Sequence, residues 1–256
     1  MRDHELSSGF LFISVHLSMN AVTCICRQAH APRYKERRDT IMANMIGIYG
    51  DPGMGKSTSL RFLPADQTFY VDCDGKGLNY RGWRDKYNRE KGNYIVTSEP
   101  DKVIQCLEAV GRNPKYGHIK YFVVDTMNNL WTSEEMRRCK ERGYDKWTDL
   151  ASTSWILVEL PSKLRDDLTV ILLFHSQTER TDDGYEFIRI KTNGRRTEKN
   201  AIDSKFLWLL RSVKVDGEYR FETTSHNSTS RTPLDAFEDE YIPNDISLVL
   251  EVMKDY

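Results

Sequence analysis

The chain has 256 residues, of which 39% are hydrophobic and 29% are charged. This length is enough for one large α/β domain with appendages, and this balance is typical of a globular protein. The formal net charge of −1 excludes a protein that is basic over its whole surface. Any contact with nucleic acid must therefore come from local basic patches.

The five cysteines are odd in number and scattered in spacing: Cys24, Cys26, Cys73, Cys106 and Cys139. No second cysteine pair or histidine cluster completes a metal site around the first two. We therefore expect reduced thiols and a cytoplasmic location.

The first 41 residues differ in character from the rest, and we expect them to form a disordered N-terminal extension. Residues 10–26 are apolar but are interrupted by His16 and Asn20, so they are too short and broken for a membrane span. A signal peptide is the alternative, because Ala29-His30-Ala31 resembles a cleavage site, but Arg2-Asp3-His4-Glu5 is not the basic segment that begins such a peptide. The folded domain is then residues 42–256, and no membrane association is expected.

A glycine-rich segment, residues 50–57, reads G-x-x-x-x-G-K-S, which is the P-loop pattern. The apolar run 45–49 before it predicts a buried strand, and residues 58–63 after it predict the start of a helix. Backbone N–H groups of such a loop bind phosphate oxygens. The alternative, a chance glycine-rich turn, is disfavoured by this context. We expect ATP to contact Gly50, Asp51, Pro52, Gly53, Met54, Gly55, Lys56, Ser57 and Thr58, with Lys56 at the β- and γ-phosphates and Ser57 at Mg²⁺.

Apolar strands alternate with helical segments along the chain. Strands are predicted over residues 68–72, 94–97, 120–126 and 169–174, with helices over 103–110, 131–142 and 150–166. This alternation predicts an α/β fold with a mostly parallel sheet flanked by helices. Towards the C-terminus, residues 185–191 and 207–225 predict antiparallel strands, and Asp216-Gly217 predicts a hairpin turn within the second stretch. A short helix is predicted at 246–253.

Polar residues follow several strands at the edge where ligands bind in such sheets. Asp125 ends an apolar strand and is expected to hold Mg²⁺ with Ser57, although it could merely cap the next helix. Asp74, preferred over Asp72, is expected to orient or deprotonate the attacking water, although Asp-Gly is also a turn pattern. His175 or Gln177 is expected to contact the γ-phosphate, although the histidine could be a satisfied core residue.

Two basic stretches are candidates for contact with single-stranded DNA. Residues 127–147 combine arginines and lysines with Trp131, Tyr144 and Trp147, and residues 179–199 carry six cationic side chains. Cationic grooves with aromatic platforms suit single strands, through phosphate neutralisation and base stacking. A solvated helix face with its aromatic residues packed inward is the alternative.

These residues together resemble the RecA-like ATPase superfamily, and in particular the phage Sak-type single-strand annealing proteins. The resemblance runs from about Met45 to the C-terminus and rests on residues 50–58, 69–74, 121–126 and 170–175, and on the ending 237–256. It implies a RecA-type core, binding and hydrolysis of Mg·ATP, homo-oligomers on DNA, and work with phage or host recombination and replication proteins.

The leading hypothesis is therefore a DNA-dependent ATPase of phage recombination or replication. A cation from a neighbouring subunit could complete its site, and Arg195, Arg196 and Arg231 are candidates. Two alternatives stay open at this point: a P-loop kinase of nucleosides or other small molecules, and a nucleotide-gated loader or binding module with little turnover.

Overall fold

The structure is a computed structural model that describes residues 44–193 and 201–256. The expected extension, residues 1–41, lies outside the described residues, as do Cys24, Cys26 and the basic residues Arg195, Arg196 and Lys199. Of the cysteines that are described, Cys73, Cys106 and Cys139 are free thiols, in line with the sequence.

An eight-stranded sheet forms the centre of the described domain. Its strands are β1 (Asn44–Tyr49), β2 (Thr68–Asp72), β3 (Tyr94–Val96), β4 (Tyr121–Asp125), β5 (Thr169–Phe174), β8 (Trp208–Val215), β9 (Glu218–Glu222) and β10 (Tyr241–Pro243). They lie side by side in the order β10-β9-β8-β1-β5-β4-β2-β3. Six neighbouring strands of this sheet, β8, β1, β5, β4, β2 and β3, are parallel to one another. Strand β9 pairs antiparallel with β8, and β10 pairs antiparallel with β9. The predicted fold class is confirmed.

Strand β5 shows why the sheet lies between two layers. All six of its residues are buried, and its side chains alternate between two separate apolar clusters. Val170 and Leu172 belong to one cluster, and Ile171 and Leu173 to the other. A strand that is apolar on both faces requires cover on both faces, which is the usual state of a parallel sheet.

The covering helices are α1 (Trp83–Lys86), α2 (Pro100–Arg112), α3 (Met127–Arg137), α4 (Asp145–Glu159) and α5 (Ile246–Val252). Helix α2 is strongly amphipathic and buries Val103, Leu107 and Val110 in the first cluster. Helix α5 buries Ile246 and Val249 in the second. Within the part of the chain that the structure describes, no helix is long and apolar enough to cross a membrane.

A second, two-stranded sheet projects from the carboxyl end of β5. Strands β6 (Ser176–Arg180) and β7 (Glu186–Ile190) pair as an antiparallel hairpin. The sequence predicts β7 but not β6, because residues 175–177 read only as the polar end of the strand at 169–174. The hairpin also bonds to the chain after β9, since the Ile188 N–H donates to the Asn227 carbonyl at 2.8 Å and the Thr229 N–H to the Ile188 carbonyl at 2.9 Å.

The prediction of a helix after the P-loop is wrong in extent. Only one 3-10 turn, Thr58–Leu60, follows the loop. Pro64 lies four residues later and cannot continue a helical ladder. The predicted helices of the next segments are present with shifted bounds. Helix α4 ends at Glu159, two residues before Pro161, and the chain continues from Leu160 as a 3-10 turn.

Candidate nucleotide-binding site

The P-loop, residues 50–57, adopts the positive φ angles that its glycines predict. Gly50, Gly53 and Gly55 have φ angles of +156°, +82° and +89°, which side-chain-bearing residues rarely adopt. Among the described residues, the N–H groups of Gly53, Gly55, Lys56 and Ser57 donate no hydrogen bond to protein atoms. Four unpaired donors in successive turns form a concavity that binds anions.

Lys56 lies within this loop and is buried, with 7% of its surface exposed. Its ammonium donates to the carbonyl oxygens of Gly50 at 2.8 Å and Asp51 at 2.9 Å. Burial lowers its pKa to about 8, against the opposing attraction of Asp125. The Lys56 ammonium is therefore a poorly hydrated cation beside the concavity formed by the P-loop N–H groups. A phosphate bound there can replace water as its partner.

Asp125 lies at the end of β4 and faces the P-loop. Its Oδ2 accepts hydrogen bonds from the Ser57 hydroxyl at 2.5 Å and from the Tyr70 hydroxyl at 2.6 Å. Its Oδ1 is buried and has no partner. Burial raises the pKa of this carboxyl, while the two donated bonds oppose that rise. Asp125 thus does not cap helix α3, and the Ser57–Asp125 pairing expected from sequence is present.

The donors at this point fit Mg²⁺. A hydroxyl and a carboxylate are hard oxygen ligands, and Mg²⁺ usually takes one or two protein ligands with the rest from water and phosphate. The unpartnered Oδ1 of Asp125 is the buried acceptor that such an ion would satisfy. No cluster of three His, Cys, Asp or Glu side chains forms a metal cage within the described residues, so a bound ion would depend on the nucleotide.

Tyr70 is a site residue that the sequence analysis missed. It lies on β2, fully buried, and burial raises the pKa of its phenol well above the ordinary value. It therefore remains a hydrogen-bond donor to Asp125 at any physiological pH. The available signal was a tyrosine within an apolar strand two residues before Asp72, since a buried hydroxyl needs a partner.

Asp72 and Asp74 have different roles in the loop after β2, residues 73–77. Asp72 accepts from the N–H groups of Asp74, Gly75 and Gly77 at 2.7 to 3.1 Å, and from the Tyr94 hydroxyl at 2.7 Å. This carboxylate therefore holds the loop together. Asp74 is the acid of the pair that is directed at the site.

The Asp74 carboxylate is held by two neighbours. Its Oδ1 accepts from the Thr126 hydroxyl at 3.2 Å, next to Asp125. Its Oδ2 is ion-paired with Lys76. Asp74 is thus close to the proposed metal ligands but is engaged by a cation.

His175 follows β5 and is half-buried. The backbone N–H of His175 donates to Oδ1 of Asn128 at 2.7 Å, and the ring Nδ1 of His175 is buried without a partner. Burial, and then the charge of Lys56, lower the pKa of the imidazole. His175 is therefore a neutral ring near Lys56 with one unused nitrogen, which suits a contact with a phosphate oxygen.

Gln177 has other partners in the structure. Its amide donates to Glu179 at 2.8 Å and accepts from the Thr192 N–H at 3.4 Å, both within the β6–β7 region. The intervening residue, Ser176, instead contacts the P-loop, because its hydroxyl donates to the Asp51 carboxylate. Its N–H also donates to the Gly50 carbonyl at 3.3 Å. Ser176 is a second residue that sequence reasoning missed.

The C-terminal part of the sheet supports the P-loop from behind. The Ser212 hydroxyl of β8 donates to the Met54 carbonyl and accepts from the Asn244 amide at 2.9 Å. Asn244 precedes helix α5 and is buried. A Cβ on Gly55 would lie 3.0 Å from the Asn244 oxygen and 3.1 Å from the Tyr219 ring. Strands β8 and β9, together with the segment before α5, therefore fix the shape of the P-loop.

The basic stretch 127–147 is mostly engaged within the protein. Trp131 is buried against Phe174, with ring centroids 5.9 Å apart. Arg137 is ion-paired with Glu134, and Arg138 with Glu141 and Asp149. The contacts favour a solvated helix face there, which is the alternative weighed from sequence. In the other stretch, Arg189 is paired with Glu179 and Asp203.

This fold and site together define a P-loop nucleotide-binding protein with a mostly parallel sheet between layers of helices. The strand that leads into the P-loop and the strand that ends in Asp125 flank β5, and the lysine, the hydroxyl and the carboxylate meet at one end of the sheet.

The chain belongs to the AAA domain family known as AAA_24, whose family model matches residues 42–231. It therefore contains an AAA-type P-loop ATPase domain. Among solved structures, 142 chains match. One is the flagellar accessory protein FlaH from Methanocaldococcus jannaschii, at 13% identity and a TM-score of 0.36, covering 71% of this chain and 76% of that one. No curated protein matches this chain.

Proposed function

We propose that this protein binds and hydrolyses Mg·ATP and couples that hydrolysis to single-stranded DNA. The observation that carries the proposal is the 2.5 Å hydrogen bond between Ser57 and Asp125, made beside Lys56 and a loop of unpaired N–H groups. A lysine, a hydroxyl and a carboxylate in this arrangement are the parts that phosphoryl-transfer sites share.

The chain's own groups divide the work of hydrolysis. Lys56 and the P-loop N–H groups neutralise the phosphates. Ser57 and Asp125 hold Mg²⁺, which supplies further positive charge when bound. Asp74 orients the water that adds to the γ-phosphorus as the bond to the β-phosphate breaks, which gives ADP and inorganic phosphate. His175 donates to an oxygen of the γ-phosphate through its unused ring nitrogen, Nδ1, in the tautomer that carries the proton there.

The β6–β7 hairpin is the surface that we assign to DNA. It begins at His175 and Ser176, at the nucleotide site, and the hydroxyl of Ser176 links it to the P-loop. Tyr185 and Phe187 lie on it with nearly parallel rings 6.2 Å apart, and Tyr185 is 53% exposed. Exposed, sequence-tolerant stacking surfaces of this kind bind single strands. The hairpin leads into the segment that carries Arg195, Arg196 and Lys199.

The biological setting that we propose follows from the resemblance to the Sak-type proteins. The protein would act as a homo-oligomer on single strands, with phage or host recombination and replication proteins, in the cytoplasm of the host. The support is the match of the motifs at residues 50–58, 69–74 and 121–126. Size-exclusion chromatography with AMP-PNP and a long single strand tests the oligomer.

The test of the function is the rate of ATP hydrolysis with and without oligo(dT) at low salt. We expect the single strand to raise the rate several-fold. Tyr185→Ala should require more DNA for the same stimulation and should leave the DNA-free rate unchanged. Tyr256→Ala, which removes a ring of similar exposure (62%) near the C-terminus, is the control.

Three results would contradict the proposal. Absence of both DNA binding and stimulation would remove the DNA role. Phosphate transfer to a nucleoside monophosphate instead of water would identify a kinase. Tight binding of ATP without turnover, in wild type and Lys56→Ala alike, would identify a nucleotide-gated binding module.

A further inference from the structure

The loop after β2 presents a second cation beside the site, Lys76, for which the P-loop pattern has no role. Lys76 lies between Gly75 and Gly77, whose φ angles are +69° and +75°. The loop is tied by the Asp72 carboxylate, which accepts three of its N–H groups. Lys76 therefore extends from a fixed backbone, and its ammonium is paired with Asp74.

This ion pair blocks the acid that the proposed hydrolysis uses. Both oxygens of Asp74 are occupied, one by Thr126 and the other by Lys76. A carboxylate whose two oxygens already accept from protein donors has fewer free lone pairs with which to bind water. Asp74 therefore becomes fully available only when Lys76 takes another anionic partner.

The pair is also easy to exchange. The Lys76 side chain is 61% exposed, whereas that of Asp74 is 18% exposed. An ion pair with so much solvent around the cation contributes little free energy. A phosphate group with a higher charge, close to the same loop, would compete with Asp74 for this cation.

The contacts of Asp74 place Lys76 beside the other functional groups. One oxygen of Asp74 accepts from the hydroxyl of Thr126, which directly follows Asp125, the proposed metal ligand. The Lys76 ammonium is bonded to the other oxygen of the same carboxylate. Lys76 therefore lies next to the acid that is proposed to orient water for attack on the γ-phosphate.

We propose that Lys76 binds the γ-phosphate of ATP in cis, and that this contact releases Asp74 to act on water. The inference rests on the proposed function and adds a residue to it. A second cation at the γ-phosphate stabilises the charge of the transferring group, a role that other P-loop enzymes give to an arginine. ADP has no γ-phosphate and would leave the Lys76–Asp74 pair intact.

The experiment compares the affinities of AMP-PNP and ADP, with Mg²⁺, for the full chain and its variants by isothermal titration calorimetry. Lys76→Gln should weaken AMP-PNP binding about tenfold and change ADP binding less than twofold. Lys76→Arg, which keeps the charge, should restore most of the loss. Lys102→Gln is the control, because Lys102 is similarly exposed (54%) and is also ion-paired, with Glu99.

A second comparison separates contact with phosphate from mere positioning of Asp74. In an Asp74→Asn background, the Lys76→Gln change should still weaken AMP-PNP binding selectively. If the effect disappears in that background, or if ADP and AMP-PNP lose affinity equally, the proposal is overturned. A wild-type chain that binds neither nucleotide would instead reject the proposed function itself, and the role of Lys76 with it.

Discussion

Replacing Gly50 by alanine should displace the P-loop from strand β8. A Cβ at this position would lie 2.5 Å from the backbone oxygen of Ser212. Real Cβ atoms essentially never approach another heavy atom within 3.0 Å. The obstacle belongs to the backbone of a strand in the main sheet, so it cannot rotate away as the end of a flexible side chain could.

The expected loss of stability has two parts. The φ angle of +156° at Gly50 is unfavourable for alanine, which costs roughly 1–3 kcal/mol. Relief of the overlap with Ser212 requires a backbone shift, which costs about 1–3 kcal/mol more. We therefore expect the free energy of unfolding to fall by about 2–6 kcal/mol, and the melting temperature by about 10 °C.

Gly53→Ala is the matched control in the same loop. Gly53 also has a positive φ, +82°, but a Cβ there would meet nothing within 4 Å, so only the backbone cost of about 1–2 kcal/mol applies. Urea denaturation followed by circular dichroism measures both variants. Equal losses for the two variants, or a loss under about 1 kcal/mol for Gly50→Ala, would refute the reasoning.

Three further predictions concern single side chains of the site. Asp125→Asn keeps an acceptor for the Ser57 hydroxyl and removes a carboxylate whose pKa is raised by burial, so the variant should be at least as stable as wild type. In calorimetry, Mg²⁺ should no longer strengthen the binding of nucleotide to this variant. Lys56 has a pKa lowered to about 8 by burial, so between pH 8 and 10.5 the unfolded chain binds more protons than the folded one. Without metal, the free energy of unfolding should therefore gain up to about 3 kcal/mol over that range, and Lys56→Met should abolish this gain. Ser212→Ala removes the hydrogen bond to the Met54 carbonyl, worth about 1 kcal/mol, and should weaken AMP-PNP binding about fivefold.

The outcomes that contradict these predictions are specific. Asp125→Asn with undiminished Mg²⁺ dependence would mean that Asp125 does not reach the metal. If the free energy of unfolding of wild type falls between pH 8 and 10.5 relative to that of Lys56→Met, the pKa of Lys56 is not lowered by folding. For Ser212→Ala the control is Ser154→Ala, a buried serine on α4 whose hydroxyl bonds the Leu150 carbonyl, and which should leave nucleotide affinity unchanged.

The central strands could be predicted from the sequence because burial on both faces leaves an unbroken apolar run. Residues 68–72 and 169–174 match the bounds of β2 and β5. Strand β6 reads Ser-Gln-Thr-Glu-Arg and has no such pattern. Strand β6 forms because its backbone pairs with β7. This pairing joins segments about ten residues apart, so the local pattern of apolar residues does not predict it.

The motif predicted the parts of the site but not their surroundings. Lys56, Ser57 and Asp125 follow from the P-loop pattern and a strand end. The contact of Tyr70 with Asp125 depends on the register between β2 and β4, which pairs Asp72 with Asp125. The support from Ser212 depends on β8 lying parallel to β1, whereas the sequence suggested only antiparallel strands in that region.

The measurement that tests the central claim most directly is calorimetric titration of AMP-PNP into wild type and Lys56→Ala, each with and without Mg²⁺. We expect wild type to bind more tightly with Mg²⁺, and Lys56→Ala to lose at least tenfold in affinity with an unchanged circular dichroism spectrum, because the lysine serves the phosphates and not the fold. Equal affinity in the two proteins, or binding that ignores Mg²⁺, would contradict a site built from the P-loop and Asp125.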